Sequence, residues 1–280
     1  MSDQHQFRYV AALIFAAVSP SLARAAASPV SAATAADAPE AVEARARLAA
    51  EVRRLLIARR VPADRYLEAV VAAIATVPRH RLVPPELACI ANSNLILPIG
   101  HGQTSTDPEY VAYMTALLRL HPSDRVFEVG TGSGYQAAVL GQIVADVRTV
   151  EIVAPLAASA ASNLAALGYT NIHVRAGDGY VGWPEFAPYG AVIVTAGATC
   201  IPPALVTQLK VSGRLAMPLG QSVASEKLVV ITKRADGSIR AKAYDDTMFV
   251  DFTGRIERST PLLRFRRQGI DLRRPRICDA

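Results

Sequence analysis

The chain has 280 residues, 51% hydrophobic and 19% charged, with a formal net charge of +6 at pH 7. That balance excludes wholesale disorder and fibrous repeats, and the length suits one large domain or one domain with extensions. Much of the hydrophobic excess is alanine crowded into the first quarter of the chain, so the composition is not that of a membrane protein.

Arg8 precedes an apolar run from Val10 to Val18 that Ser19 and Pro20 break. The run is too short for a bilayer, which takes about 20 residues, and it reads as a signal peptide over residues 1–27. Cleavage sites are Ala23-Arg24-Ala25 and Ala25-Ala26-Ala27; a disordered Ala-rich extension is the alternative. Export to the periplasm or beyond follows, with no membrane span left after leader removal. A leader that does not function would leave the chain cytoplasmic. Residues 28–39 are a Pro, Ala and Ser linker, and folded structure is expected from Glu40.

From Glu40 to Arg59, Val42, Leu48, Val52, Leu55 and Leu56 recur at helical spacing among charges, which predicts an amphipathic helix. Asp64 is placed to cap a second helix reaching about Thr76, after which Val77, Pro78 and Val83-Pro84-Pro85 predict extended chain. Asp107 and Pro108 have N-cap and N1 character for a helix to about Leu120. Beyond Pro122 short apolar strands alternate with helices. The strands are Arg125 to Val129, Val147 to Ile152, Ile172 to Arg175, Ala191 to Thr195 and Arg214 to Pro218. The helices are Pro155 to Leu167, stopped by Gly168, and Pro203 to Leu209. This alternation predicts an α/β fold with a mostly parallel sheet. Lys227 to Lys233 and Ile239 to Tyr244 flank Ala235-Asp236-Gly237, a hairpin that adds antiparallel strands. The division is then a helical extension over 40–121, the α/β domain over 122–254 and a basic tail over 255–280.

The tail carries Arg255, Arg258, Arg264, Arg266, Arg267, Arg273, Arg274 and Arg276 with few aromatics. It reads as a solvated tail, with a nucleic-acid patch as its rival. Cys89, Cys200 and Cys278 are odd in number, far apart and outside any CxxC, and the histidines show no ligand spacing. Neither a metal site nor a disulfide is expected.

The sharpest motif is Val126-Phe127-Glu128-Val129-Gly130-Thr131-Gly132-Ser133-Gly134, followed by helix-compatible residues from Tyr135. It reads as strand, glycine turn and helix, where positive φ and close ligand approach are possible and unpaired N–H groups are on offer. The dinucleotide fingerprint needs its third glycine where Tyr135 stands, and no Gly-Lys-Ser/Thr follows for a Walker loop. Glu128 would set negative charge against a pyrophosphate. S-adenosylmethionine has no phosphate and carries ammonium and sulfonium cations, so electrostatics favours it. Glu151, with Ile152 beside it, ends the next strand where a carboxylate can accept from ribose hydroxyls. Asp178, within Gly177-Asp178-Gly179, is placed to reach the adenine amino group. A strand-end surface acid and a plain turn are the respective alternatives.

Four segments in order, Leu97-Pro98-Ile99-Gly100-His101-Gly102-Gln103-Thr104, Glu128 to Gln136, Gly177 to Pro184 and Ala191 to Thr195, resemble those of protein-L-isoaspartate O-methyltransferases. The resemblance spans about Asp64 to Gly220. It implies a class I S-adenosylmethionine-dependent methyltransferase fold, Rossmann-like, with a mostly parallel seven-stranded sheet and an N-terminal helical extension. It further implies a monomer that methylates the free carboxylate of L-isoaspartyl residues in damaged proteins and peptides, starting repair through succinimide. Such a carboxylate, with a pKa of about 4, is already ionised at pH 7, so the enzyme must align it rather than deprotonate it.

The implied cofactor set is Glu128, Gly130, Thr131, Gly132, Gly134, Glu151, Ile152, Gly177 and Asp178. In the family a hydroxyl residue after Gly-x-Gly-Gln-Thr orients the substrate. Alignment puts Thr106 at that position, after Thr104, and Ser105 takes the role if the loop slips by one residue; helix capping is the alternative for both. Thr199 and Cys200 replace a Pro-Glu pair, and Gly190 replaces an aspartate. Met248-Phe249-Val250-Asp251-Phe252-Thr253 replaces Arg-Phe-Val-Pro-Leu-Thr. These departures leave two rivals, a carboxyl methyltransferase with another carboxylate substrate and a non-catalytic S-adenosylmethionine-binding protein. A nucleic-acid methyltransferase would need an Asn/Asp-Pro-Pro-aromatic motif that the chain lacks.

Overall fold

The computed structural model describes residues 37–220, 225–256, 272 and 275–278. The expected leader, nearly all of the linker and most of the basic tail lie outside the described residues, which all belong to one compact unit, Asp37–Ala280.

Helix α1, Pro39–Ala58, buries Leu48, Val52 and Leu56, and α2, Arg65–Thr76, buries Leu67, Val70 and Ile74. Both stripes follow the three- and four-residue spacing of an amphipathic helix. Asp64 caps α2 as expected, its Oδ1 accepting from the Tyr66 and Leu67 N–H groups at 3.0 and 3.3 Å. The chain from Val77 to Pro85 is not simply extended, since 3-10 turns form at Arg79–Arg81 and from Pro85 to Ile90. Proline disfavours helix for the residue before it but suits the first position of a turn, and Pro85 takes that position. Strands β1, Leu97–Pro98, and β2, Thr104–Ser105, pair antiparallel. Helix α3, Pro108–Leu118, is capped by Asp107 Oδ1, which accepts from Tyr110 N–H at 2.9 Å.

The main sheet has seven strands: β3, Arg125–Val129; β4, Asp146–Glu151; β5, Ile172–Ala176; β6, Tyr189–Val194; β7, Leu209–Leu219; β8, Glu226–Lys233; and β9, Ile239–Thr247. Their order is β5-β4-β3-β6-β7-β8-β9, parallel from β5 to β7 and antiparallel at the last two junctions. Helices α4, Tyr135–Gly141, and α5, Ala154–Ala166, connect β3 to β4 and β4 to β5, and α6, Pro203–Thr207, lies between β6 and β7. Alternate side chains feed two cores. Val126, Val147 and Ile193 join α1 to α4 on one face; Phe127, Val129 and Val192 join α6 and the chain's last segments on the other. Among the described residues no helix is long and apolar enough to cross a membrane.

Two departures from sequence expectation have clear physical causes. A Cβ on Gly190 would lie 2.3 Å from Asp124 Oδ1, so the aspartate expected at 190 has no room. Asp124 accepts there from His121 N–H at 2.8 Å and from Lys210 Nζ at 2.6 Å. The expectation of no disulfide is corrected, because Cys200 and Cys278 are bonded, with Cα atoms 5.1 Å apart. A backbone bridge accompanies the bond: Ile201 N–H donates to Arg276 O at 2.9 Å and Cys278 N–H to Ile201 O at 2.8 Å. Residues 78 positions apart carry no local signal of pairing, and an odd cysteine count conceals it.

In a chain-entropy account, closing a loop of this separation contributes up to about 4.5 kcal/mol. Reduction should therefore lower the thermal midpoint by several degrees at least, given about 2–4 °C per kcal/mol at this size. The Cys200→Ser/Cys278→Ser variant should show the same loss and no further response to dithiothreitol. Scanning calorimetry decides it, and an unchanged midpoint would mean that the backbone bridge alone holds the tail.

Candidate active site

Strand β3 has β4 on one side and β6 on the other, so successive connections leave it in opposite directions and a crevice opens at the strands' carboxyl ends. The glycine turn sits at that point. Gly130 has φ +94°, and a Cβ there would lie 2.3 Å from Thr195 Oγ1 at the end of β6. The Thr195 hydroxyl instead donates to Gly130 O at 2.8 Å. On the other flank Gly130 N–H donates to Val150 O at 2.8 Å. The buried Thr131 hydroxyl bonds Thr149 Oγ1 at 2.6 Å. Gly134 then starts α4 as its N-cap with φ 87°.

Glu151 ties this turn to β4. Its Oε2 accepts from Gly132 N–H at 2.8 Å and its Oε1 from Val153 N–H at 2.9 Å. Gly130, Gly132, Glu151 and Ile152 line a cleft, joined by Gly179 and Thr195. The far wall is a strap, Val250 to Thr253, with Gln103 and Thr104 at the rim. Gly197 anchors the strap, its N–H donating to Val250 O and its O accepting from Phe252 N–H, both at 2.8 Å. Asp178 lies at the end of β5 and accepts from Tyr180 N–H and, under the strap's continuation, from Arg255 N–H, each at 2.8 Å. Gly177 N–H reaches back to Glu151 O at 2.9 Å.

Glu128 is placed differently from its expected role. It is 0% exposed, does not line the cleft, and has no hydrogen-bond partner for either carboxyl oxygen. Burial pushes its pKa up to about 8, with the Thr149 hydroxyl opposing the rise and the Glu151 carboxylate adding to it. Burial thus disfavours the charged form of Glu128, and Glu151 is the carboxylate that lines the cleft. Glu226 is also buried beside the strap, accepts from Phe249 N–H at 3.0 Å, and is raised to about 7 by burial, with Asp251 adding to the rise. Asp251 itself is exposed on the cleft wall.

The hydroxyl loop meets this cleft edge-on. Thr104 lines it. Ser105, 5% exposed, turns inward and accepts from Ser133 Oγ at 3.5 Å and from the Arg79 guanidinium at 3.3 Å. Thr106 follows at the half-buried start of the α3 cap. Sequence reasoning did not count Thr195, Gly179 or the strap as site residues. Thr195 was findable, since it follows the strand that flanks the turn opposite Glu151. Among the described residues no group of three or more His, Cys, Asp or Glu could hold a metal.

Residues 53–257 match the family model of protein-L-isoaspartate(D-aspartate) O-methyltransferase. Over 185 residues the chain is 50% identical to protein-L-isoaspartate O-methyltransferase 1 of Nitrosospira multiformis, covering 66% of this chain and 78% of that one. A solved protein-L-isoaspartate O-methyltransferase superposes with TM-score 0.65 at 26% identity, over 75% of this chain and 69% of its own. A Plasmodium falciparum protein assigned to the same family and solved with S-adenosyl-L-homocysteine shares the fold, with TM-score 0.63 at 23% identity, over 75% of this chain and 98% of its own.

Glu128 makes stability depend on pH in a definite direction. Its pKa rises from 4.5 to about 8 on folding, so between those values the native state holds a proton that the unfolded state has released. The stabilisation is present in full below the unfolded value and is lost as pH rises through the folded one. Denaturant unfolding of the ligand-free chain should show Glu128→Gln gaining on the wild type by a few kcal/mol between pH 5 and pH 8.5, at about 1.4 kcal/mol per unit of pKa difference. A constant gap between the two proteins would show that Glu128 is ionised in the native state.

Proposed function

The chain belongs to the protein-L-isoaspartate(D-aspartate) O-methyltransferase family, and from that premise we propose that it methylates L-isoaspartyl residues of damaged proteins, with S-adenosylmethionine as methyl donor. The observation that carries the reading is that Thr104 lines the cleft of the glycine turn while Ser105 beside it bonds Ser133 within that turn.

The residues present fit that cofactor. A side chain at Gly130 would collide with Thr195, so the turn has no room for a Cβ there, and Glu151 ends β4 beside it. S-adenosylmethionine supplies an electrophilic methyl group on a sulfonium. Each Glu151 oxygen accepts one backbone N–H and keeps a lone pair for a ribose hydroxyl. Asp178 is the acceptor at the adenine end. Thr106 donates its hydroxyl to one oxygen of the acceptor carboxylate and leaves the other in line for attack. The strap walls the cleft, and alignment is the main catalytic device. In the released ester the neighbouring peptide nitrogen attacks the methylated carbonyl, the C–OCH3 bond breaks, and methoxide leaves with the nitrogen's proton as methanol, which gives succinimide.

We further propose that the mature chain works in the periplasm or outside the cell. The Arg8 and Val10 to Val18 leader pattern supports this. So does the Cys200–Cys278 bond, because disulfides persist in oxidising compartments and are rare in reducing ones.

Radiolabelled methyl transfer to an isoaspartyl peptide should exceed transfer to the matched aspartyl peptide and to DNA. Thr106→Val should cut the rate about 30- to 150-fold, the equivalent of roughly 2–3 kcal/mol, while cofactor affinity stays within about threefold. Thr106→Ser should remain active. Glu151→Ala should weaken cofactor binding by about 1–3 kcal/mol in calorimetry. Equal labelling of both peptides would sink the substrate assignment.

Intact-mass analysis of protein from its native host should find a start between Ala26 and Ser28 and a mass two hydrogens short for the disulfide. Residues 1–25 retained on a reduced protein would refute export.

A further inference from the structure

Arg79 lies outside the cleft, is 0% exposed, and forms no salt bridge among the described residues. A buried guanidinium with no direct ion pair, its charge favoured by Asp107 without contact, is a costly choice where an apolar side chain could fill the space. Its Nη groups point mostly at backbone carbonyls of two loops, while the buried Nε has no hydrogen-bond partner among the described residues. Nη1 donates to Ala91 O at 3.1 Å and Ser93 O at 3.3 Å, and Nη2 to Leu95 O at 2.9 Å. Nη2 also reaches Ser105 O and Ser105 Oγ, both at 3.3 Å, and Thr106 O at 3.1 Å. The guanidinium carbon lies 5.1 Å from the ring centre of Tyr135, the first residue of α4.

These contacts form a path into the site. Ser105 Oγ, held by Arg79, also accepts from Ser133 Oγ inside the glycine turn at 3.5 Å. One planar cation thus fixes the backbone on both sides of the Ser105–Thr106 peptide and rests on the helix that the glycine turn starts. A lysine has one nitrogen and cannot span the same acceptors.

We propose that Arg79 is a positioning residue for methyl transfer, setting the register of the Thr104-Ser105-Thr106 loop against the glycine turn so that the Thr106 hydroxyl meets the acceptor carboxylate. The proposal rests on the reading of Thr106 as the substrate-orienting hydroxyl.

The test is a double-mutant cycle on the full mature chain with Arg79→Lys and Thr106→Val. Arg79→Lys should lower kcat on an isoaspartyl peptide by about 10- to 100-fold, while calorimetry gives a Kd for S-adenosylhomocysteine within about threefold of wild type. In the Arg79→Lys background, Thr106→Val should cost less than about threefold more, because the hydroxyl is already misplaced. Effects that multiply, or a cofactor affinity that falls in step with kcat, would overturn the proposal and leave Arg79 a purely structural residue. A silent Thr106→Val overturns the Thr106 reading and this proposal with it. Should Arg79→Lys lose its folded circular dichroism signal, Ser105→Ala removes only the side-chain link. Non-additivity with Thr106→Val then supports the proposal, and full additivity overturns it.

Discussion

Everything at the cleft depends on how closely the end of β3 passes the end of β6. Gly130 leaves no space for a β-carbon beside Thr195, and the Thr195 hydroxyl uses that proximity to hold Gly130 O. Because the turn is pinned to β6 on one side, it can lie against β4 on the other, where Glu151 takes the Gly132 N–H. Helix α4 then begins at the turn, with Gly134 N–H donating to Thr131 O at 2.8 Å and Tyr135 N–H to Ser133 Oγ at 3.4 Å. A larger residue at 130 would push the turn off Thr195 and spoil both flanks together.

Charge is distributed around this turn by burial. Glu128, one strand position from the turn, is fully enclosed and its pKa is pushed up to about 8 by burial, whereas Glu151, itself buried, lines the cleft and accepts two backbone N–H groups. On the opposite wall Asp251 faces the cleft, and the neighbouring Glu226 is pushed toward protonation, partly by that charge. Asp251 and Thr104 of the hydroxyl loop line the same cleft.

The departures from the family pattern sort by what they touch. Gly190 is required by Asp124, and Cys200 belongs to the disulfide that fastens Ile277 and Cys278 beside Ile201. Phe249 packs edge-on to Tyr110 with ring centres 5.7 Å apart, which holds the strap to α3. Nothing in the structure explains Met248 in place of an arginine.

The sequence alone determined the long helices, the main strands and the cofactor turn, because these are written locally, while the 3-10 turns and the short β1–β2 pair were not. Asp64 and Asp107 announce helix starts through short side chains that reach N–H groups two or three residues on. The apolar runs from Arg125 to Leu219 announce strands buried on both faces, and Gly130, Gly132 and Gly134 announce a turn through the φ values they permit. What only the tertiary structure decided involves partners far along the chain. The burial that disfavours charge on Glu128, the Cys200–Cys278 bond, the strap across the cleft and the grip of Arg79 on Ser105 and Thr106 each join segments from 21 to 78 residues apart. Residue type and spacing encode backbone conformation over a few positions, but dielectric environment and hydrogen-bond partners exist only once the sheet has brought those segments together.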